Sequence, residues 1–146
     1  MALRFASLGS GSRGNGTVIA WDDGCVLVDC GFSAKEAALR MQRYGINPET
    51  LCAILVTHEH GDHIKGVAAL ARRYQLPVYM TKGTYDAKRL GDLPELSLIQ
   101  GGVSFSINGL SVHPVSVPHD AKEPVQFVFE YQGVKLGVLT DLGSIT

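Results

Sequence analysis

Apolar and polar positions along the chain follow two periods, and the change from one to the other outlines the fold. Leu3 to Leu8, Thr17 to Trp21 and Cys25 to Asp29 read as short strands, with Asp22-Asp23-Gly24 turning the chain between the last two. Ser33-Ala34-Lys35-Glu36 has the capping-box pattern, in which serine and glutamate side chains satisfy the free amides of a helix start. Ala34, Ala37, Ala38, Met41 and Tyr44 then recur at helical spacing up to Gly45, a suitable left-handed stop. Cys52 to Thr57 is a continuous apolar strand of the doubly buried kind, and Ile64, Val67, Ala68, Ala71 and Tyr74 mark one face of a second helix.

Beyond Pro77 the period is mainly that of strands. Val103, Phe105 and Ile107 alternate, Asn108-Gly109 is a two-residue hairpin turn, and Leu110 and Val112 resume the alternation. Val125, Phe127, Phe129 and Tyr131 alternate again, and Gln132-Gly133 turns the chain into a last strand from Val134 to Leu139. No internal repeat or low-complexity linker interrupts the pattern, and with 45% hydrophobic and 18% charged residues the 146 positions read as one globular domain, 1–146, with mixed α+β content.

Charge narrows the function little. Thirteen basic and 14 acidic residues leave a net charge of −1, so nothing global draws the chain to a polyanion, and the lysines and arginines of 35–43 and 65–73 read as solvated helix faces. Cys25, Cys30 and Cys52 are odd in number and lack C-x-x-C spacing, which argues against a disulfide framework or a zinc ribbon. No apolar run approaches the ~20 residues of a membrane span. The opening residues run straight into Gly9-Ser10-Gly11-Ser12 without an apolar signal core, so a cytoplasmic location and no membrane partner are expected.

The chemistry concentrates between the apolar strand and the second helix. His58-Glu59-His60-Gly61-Asp62-His63 places four potential ligands in six residues, too many to pack as a core, since each would need its own buried hydrogen-bond partner. A metal ion resolves that difficulty. His58 and His60 are two apart on extended chain and point to one side, while Asp62 and His63 can turn towards a second position, so one loop can serve two ions. Imidazoles and carboxylates without thiolate suit zinc, manganese or iron in a hydrolytic site. The plainer reading, a polar surface loop, leaves that ligand density unexplained. A zincin helix would need histidine at position 62, where this chain has aspartate.

Thr57-His58-Glu59-His60-Gly61-Asp62-His63 resembles the T-H-x-H-x-D-H signature of the metallo-β-lactamase superfamily, and the resemblance extends over Leu27-Val28-Asp29-Cys30-Gly31, Pro118-His119-Asp120 and Thr140-Asp141. It implies an αββα sandwich in which His58, His60 and His119 hold a first divalent ion, Asp62 and His63 a second, and Asp141 bridges both, with a metal-bound hydroxide as nucleophile. Asp29 would act from behind the ligands by orienting imidazoles, although an aspartate there could equally cap backbone amides. Asp62 could also orient the nucleophile or take its proton. Taken alone, His119 reads as a surface histidine and Asp141 as a turn residue, and His113 has no assigned role.

Leu8-Gly9-Ser10-Gly11-Ser12-Arg13-Gly14-Asn15, with Asp29-Cys30-Gly31, Ile64-Lys65-Gly66 and His119-Asp120-Ala121, looks like the WalJ-type (YycJ-type) branch of that superfamily, whose members resemble phosphodiesterases and DNA exonucleases. On that resemblance Ser12, Arg13 and Asn15 are candidates to meet a substrate phosphate, although the loop lacks the Gly-Lys-Ser/Thr of a nucleotide P-loop and reads by itself as a tight strand connection. A lactam, thioester or lactone hydrolase would use the same metal chemistry, and a non-catalytic metal or nucleic-acid binding fragment is a further alternative. Chains of this family continue past the position of Thr146 into strands, helices and a late histidine. The expectation is therefore an amino-terminal part with an incomplete second metal site and apolar sheet surface favouring a homodimer.

Overall fold

The computed structural model describes residues 3–11, 13–118 and 121–138. Among these, the first three strands are β1 (Arg4–Gly9), β2 (Gly16–Trp21) and β3 (Gly24–Val28), a meander whose register pairs Val18 with Leu27 and Ile19 with Val26. Helix α1 (Ala34–Arg43) starts where the capping pattern places it, with the Glu36 amide donating to Ser33 Oγ at 3.1 Å. The reciprocal half of the box is absent, because the Glu36 carboxylate accepts from Arg40 Nε at 2.8 Å instead. At the other end Gly45 (φ 75°) and Ile46 donate to the carbonyls of Gln42 and Met41.

Strand β4 (Leu51–Leu55) lies parallel to β3, followed by β5 (Pro77–Thr81) and β6 (Glu95–Ile99), also parallel, to complete a six-stranded sheet in chain order. A second, antiparallel sheet is formed by β7 (Phe105–Ile107), β8 (Leu110–Ser116), β9 (Val125–Tyr131) and β10 (Val134–Val138), joined through the two expected tight turns, where Asn108 and Gly109 and then Gln132 and Gly133 all have positive φ.

Alternation assigns the two faces of the first sheet. Leu27 and Ile54 pack with Met41, Leu70 and Met80 beneath the helices, whereas Val26, Val28, Ala53 and Leu55 face Val112, Phe127 and Phe129 of the second sheet. Strands β3 and β4 are thus buried on both sides, as their unbroken apolar runs require. The described residues form three layers, helices on sheet on sheet. At the end of the sandwich away from the β3–α1 loop, Trp21 Nε1 donates to the Asn108 carbonyl at 3.0 Å and the Tyr131 hydroxyl to Asp22 at 3.2 Å, tying the sheets together. No described helix is long and apolar enough to cross a membrane. Cys25 and Cys30 are buried and Cys52 partly so, all three as free thiols.

Two expectations change. The single helix read from Ile64 to Tyr74 is two, α2 (Gly61–Ile64) and α3 (Val67–Tyr74), because the Gly66 amide leaves the helical ladder to donate to the Cys30 carbonyl at 2.8 Å. Strand β6 and the short helix α4 (Ala87–Leu90) were not anticipated as elements. The outer face of the second sheet carries Ser111, His113, Gln126, Glu130 and Lys135, with Val115 and Val128 as apolar members.

A Cβ at Gly66 would run into the Phe32 carbonyl oxygen and crowd Cys30 Sγ. Gly66→Ala is therefore expected to destabilise the fold by about 3 kcal/mol or more, since backbone rather than a mobile side chain must give way. Thermal denaturation checks it, and an unchanged Tm would contradict this packing.

Candidate metal centre

The carboxyl ends of the parallel strands β3, β4 and β5 open onto one edge of the first sheet, where functional loops of α/β sheets collect. Asp29 directly follows β3 and is fully buried in the left-handed region (φ 64°), a conformation aspartate tolerates better than most residues. Its amide donates to the Leu55 carbonyl at 2.7 Å, which turns the carboxylate towards the residues leaving β4.

That carboxylate accepts three hydrogen bonds. The Thr57 amide donates to Oδ1 at 2.7 Å, the Thr57 hydroxyl to Oδ2 at 2.7 Å, and His63 Nδ1 lies 2.8 Å from Oδ2. Because the Thr57 hydroxyl proton is committed to Asp29, its oxygen can only accept from His58 Nδ1, 2.8 Å away. One carboxylate thus assigns both tautomers, directly for His63 and through Thr57 for His58, so that each ring keeps its proton on Nδ1 and its lone pair on Nε2. The His58 ring centroid lies 4.2 Å from that of His63 and 4.6 Å from that of His60, which gathers the three imidazoles into one group.

Asp62 is placed by Asn15. The Asn15 amide and Nδ2 donate to the Asp62 carbonyl at 2.8 and 3.0 Å, and Nδ2 also lies 3.3 Å from Asp62 Oδ2, which stands 3.8 Å from His63 Nε2. The remaining Asn15 groups are engaged with Gly11, whose amide donates to Oδ1 and whose carbonyl accepts from Nδ2. Asn15 is buried. Its side chain is engaged with Asp62 and Gly11. Arg13 is exposed on the same loop, and Ser12 lies outside the described residues, as do His119 and Asp141.

Backbone zippers hold these pieces at close range. Cys30 donates to the His63 carbonyl at 2.8 Å and Gly31 to that of Asn15 at 2.9 Å, and a Cβ at Gly31 would collide with the Asp62 carbonyl. Phe32 fills the space under the glycine-rich loop against Gly9 and Gly14, with the Arg40 guanidinium 4.2 Å from its ring centroid and donating to the Leu8 carbonyl at 2.6 Å. Burial pushes the Cys30 thiol up to about 11, with a smaller upward effect from the Asp29 charge, so Cys30 stays a neutral packing residue beside the site.

Among the described residues no group of three His, Cys, Asp or Glu side chains is arranged to hold an ion by itself. The donor chemistry nevertheless fits a divalent cation: two neutral imidazoles present Nε2 on a shared carboxylate support, with a third ring and the Asp62 carboxylate adjacent. Of the candidates named from sequence, the structure brings His58, His60, Asp62, His63 and Asp29 together, and it adds Thr57, which has no role in the sequence reading although it stands inside the signature. The signal that reading missed is a hydroxyl immediately preceding the first histidine.

Comparison with known proteins agrees with this geometry. The model of the metallo-beta-lactamase superfamily matches residues 9–142. Over its whole length the chain is 37% identical to the exodeoxyribonuclease YycJ of Bacillus anthracis and 32% identical to the exodeoxyribonuclease WalJ of Streptococcus pneumoniae, and it spans 57% and 56% of those proteins. A solved metallo-beta-lactamase with a HARLDQ motif from Cronobacter sakazakii superposes with a TM-score of 0.73 over 92% of this chain and 60% of that one, at 17% identity, a likeness of fold alone.

Asp29→Ala strands the Thr57 amide, the Thr57 hydroxyl and His63 Nδ1 together. The expected result is a loss of zinc affinity of about 10–100-fold, read by competition with a chromophoric chelator. Undiminished affinity would show that the tautomer network does not support the ligands.

Proposed function

The chain belongs to the metallo-β-lactamase superfamily, and we propose that it serves as a metal-dependent phosphodiesterase of the exonuclease kind, with DNA strands in the cytoplasm as substrate. The observation that carries the metal reading is the single buried carboxylate that fixes Nε2 as the lone-pair nitrogen of both His58 and His63. Full-length similarity to two exodeoxyribonucleases supports the substrate class.

On this reading His58, His60 and His119 would hold one divalent ion, zinc or manganese, and Asp62, His63 and Asp141 would supply the ligands for a second. Such ions supply Lewis acidity that activates water and offsets charge growing on phosphate oxygens. Asp29 and Thr57 keep the His58 and His63 protons on Nδ1, away from the cation side. Asn15 keeps the Asp62 carboxylate beside His63 Nε2, where it can orient an incoming water or take up its proton. Arg13, exposed on the loop that ends at Asn15, would meet a phosphodiester oxygen on this reading, with Ser12 beside it in sequence.

Replacing His58 and His60 together by alanine is expected to abolish bound metal and to lower hydrolysis of bis-p-nitrophenyl phosphate and of end-labelled DNA by at least about a thousandfold. Metal content by elemental analysis and release of labelled nucleotides check the two halves separately. An acylglutathione assayed in parallel tests the bond type: rapid thioester cleavage beside phosphodiester inactivity would reject the nuclease reading.

A further inference from the structure

Glu59 stands between His58 and His60 in the signature, and its surroundings are the least expected part of the site. Its carbonyl accepts from Arg89 Nη1 at 2.6 Å, which anchors α4 over the loop. Its carboxylate Oε2 accepts the Lys122 amide at 3.0 Å, on the far side of the site. Oε1 is buried and has no hydrogen-bond partner among the described residues.

Lys122 lies on the segment between β8 and β9, which has several further anchors. The Thr81 hydroxyl donates to the Glu123 carbonyl at 2.8 Å, the Gly83 amide to Glu123 Oε1 at 2.8 Å, and the Val125 amide to the Thr57 carbonyl at 3.0 Å. Two of these anchors come from the last residue of β5 and the turn just beyond it, and one from the second residue after β4. Glu59 adds a link from within the metal loop itself, a charge-assisted bond in which its carboxylate accepts a backbone amide at an exposed position.

We infer that Glu59 is a positioning residue: its Lys122 hydrogen bond sets the spacing between the histidine loop and the segment at 121–125 and so tunes metal affinity without touching the ion. This rests on the metal-centre reading above. Neutral amide oxygen can replace the carboxylate in that bond, whereas a methyl group cannot. Glu59→Gln should therefore keep the brace and Glu59→Ala should release it.

The test uses the full chain, titrated with zinc against a chromophoric chelator and with cobalt(II) followed by its visible spectrum. Hydrogen exchange over 121–125 is measured without metal. The expected result is that Glu59→Ala weakens zinc about 10–100-fold, alters the cobalt bands and speeds exchange at 121–125, whereas Glu59→Gln stays within about tenfold of the parent and retains its cobalt spectrum. His58→Ala is the control. If it loses zinc while Glu59→Ala binds as tightly as the parent with an unchanged spectrum, the brace is overturned and the metal reading stands. If Glu59→Gln is as impaired as Glu59→Ala, the hydrogen-bond account is overturned. If His58→Ala itself keeps parental affinity, the metal reading fails and the inference fails with it.

Discussion

A buried carboxylate with three donors around it is the constraint from which the rest of the site follows. Taking an ionised group out of water costs several kcal/mol unless charge-assisted hydrogen bonds replace its hydration. Asp29 recovers this with the Thr57 amide, the Thr57 hydroxyl and His63, each bond contributing about 1.5–3 kcal/mol. These bonds work only if β3 and β4 end at the same level and Asp29 turns through the left-handed region, so the parallel register and the unusual backbone angle belong to one requirement. The negative charge also sits behind two rings whose lone pairs face the other way. A cation bound on that far side would be drawn through each imidazole towards Asp29, which is the electrostatic sense a metal centre needs.

Close backbone approach is the second requirement, and it explains where glycine is placed. The loop after β3 and the loop after β4 lie so near each other that Gly31 and Gly66 have no room for a side chain. Gly66 leaves the helical ladder for the Cys30 carbonyl, and this divides the helix. The short α2 that remains keeps the His63 and Ile64 amides on the His60 carbonyl and leaves Asp62 facing Asn15.

The elements governed by local rules were readable in the amino-acid pattern. Both tight hairpins, the Ser33 cap, the Gly45 stop and the doubly buried β3 and β4 depend on neighbours a few residues away, and the ligand loop was conspicuous by density alone. Contacts between distant segments decided the rest. The break at Gly66 depends on a carbonyl 36 residues earlier, and β6 exists because its edge pairs with β5 rather than through any strong period of its own. Nothing in the glycine-rich loop's own sequence says that the Asn15 side-chain amide donates to the carbonyl of Asp62, 47 residues later. Thr57 was quoted as part of a signature without a task, since nothing in sequence says that a hydroxyl will be relayed between an aspartate and the next histidine.

The arrangement also separates what makes the site reactive from what makes it selective. Asp29, Thr57 and Asn15 act on ligand geometry and never face outward, so they would serve a lactam, a thioester or a phosphodiester equally well. Two guanidiniums reach solvent on neighbouring segments: that of Arg13 on the glycine loop and that of Arg89, pinned to the Glu59 carbonyl beside the side-chain-free Gly61. A guanidinium held by one donor keeps its others for a planar oxyanion, and a phosphodiester offers that shape at every step along a strand, whereas a neutral lactam or thioester does not. On the nuclease reading proposed above, these two side chains would be the ones to meet a strand, although the net charge of −1 gives no hint of it.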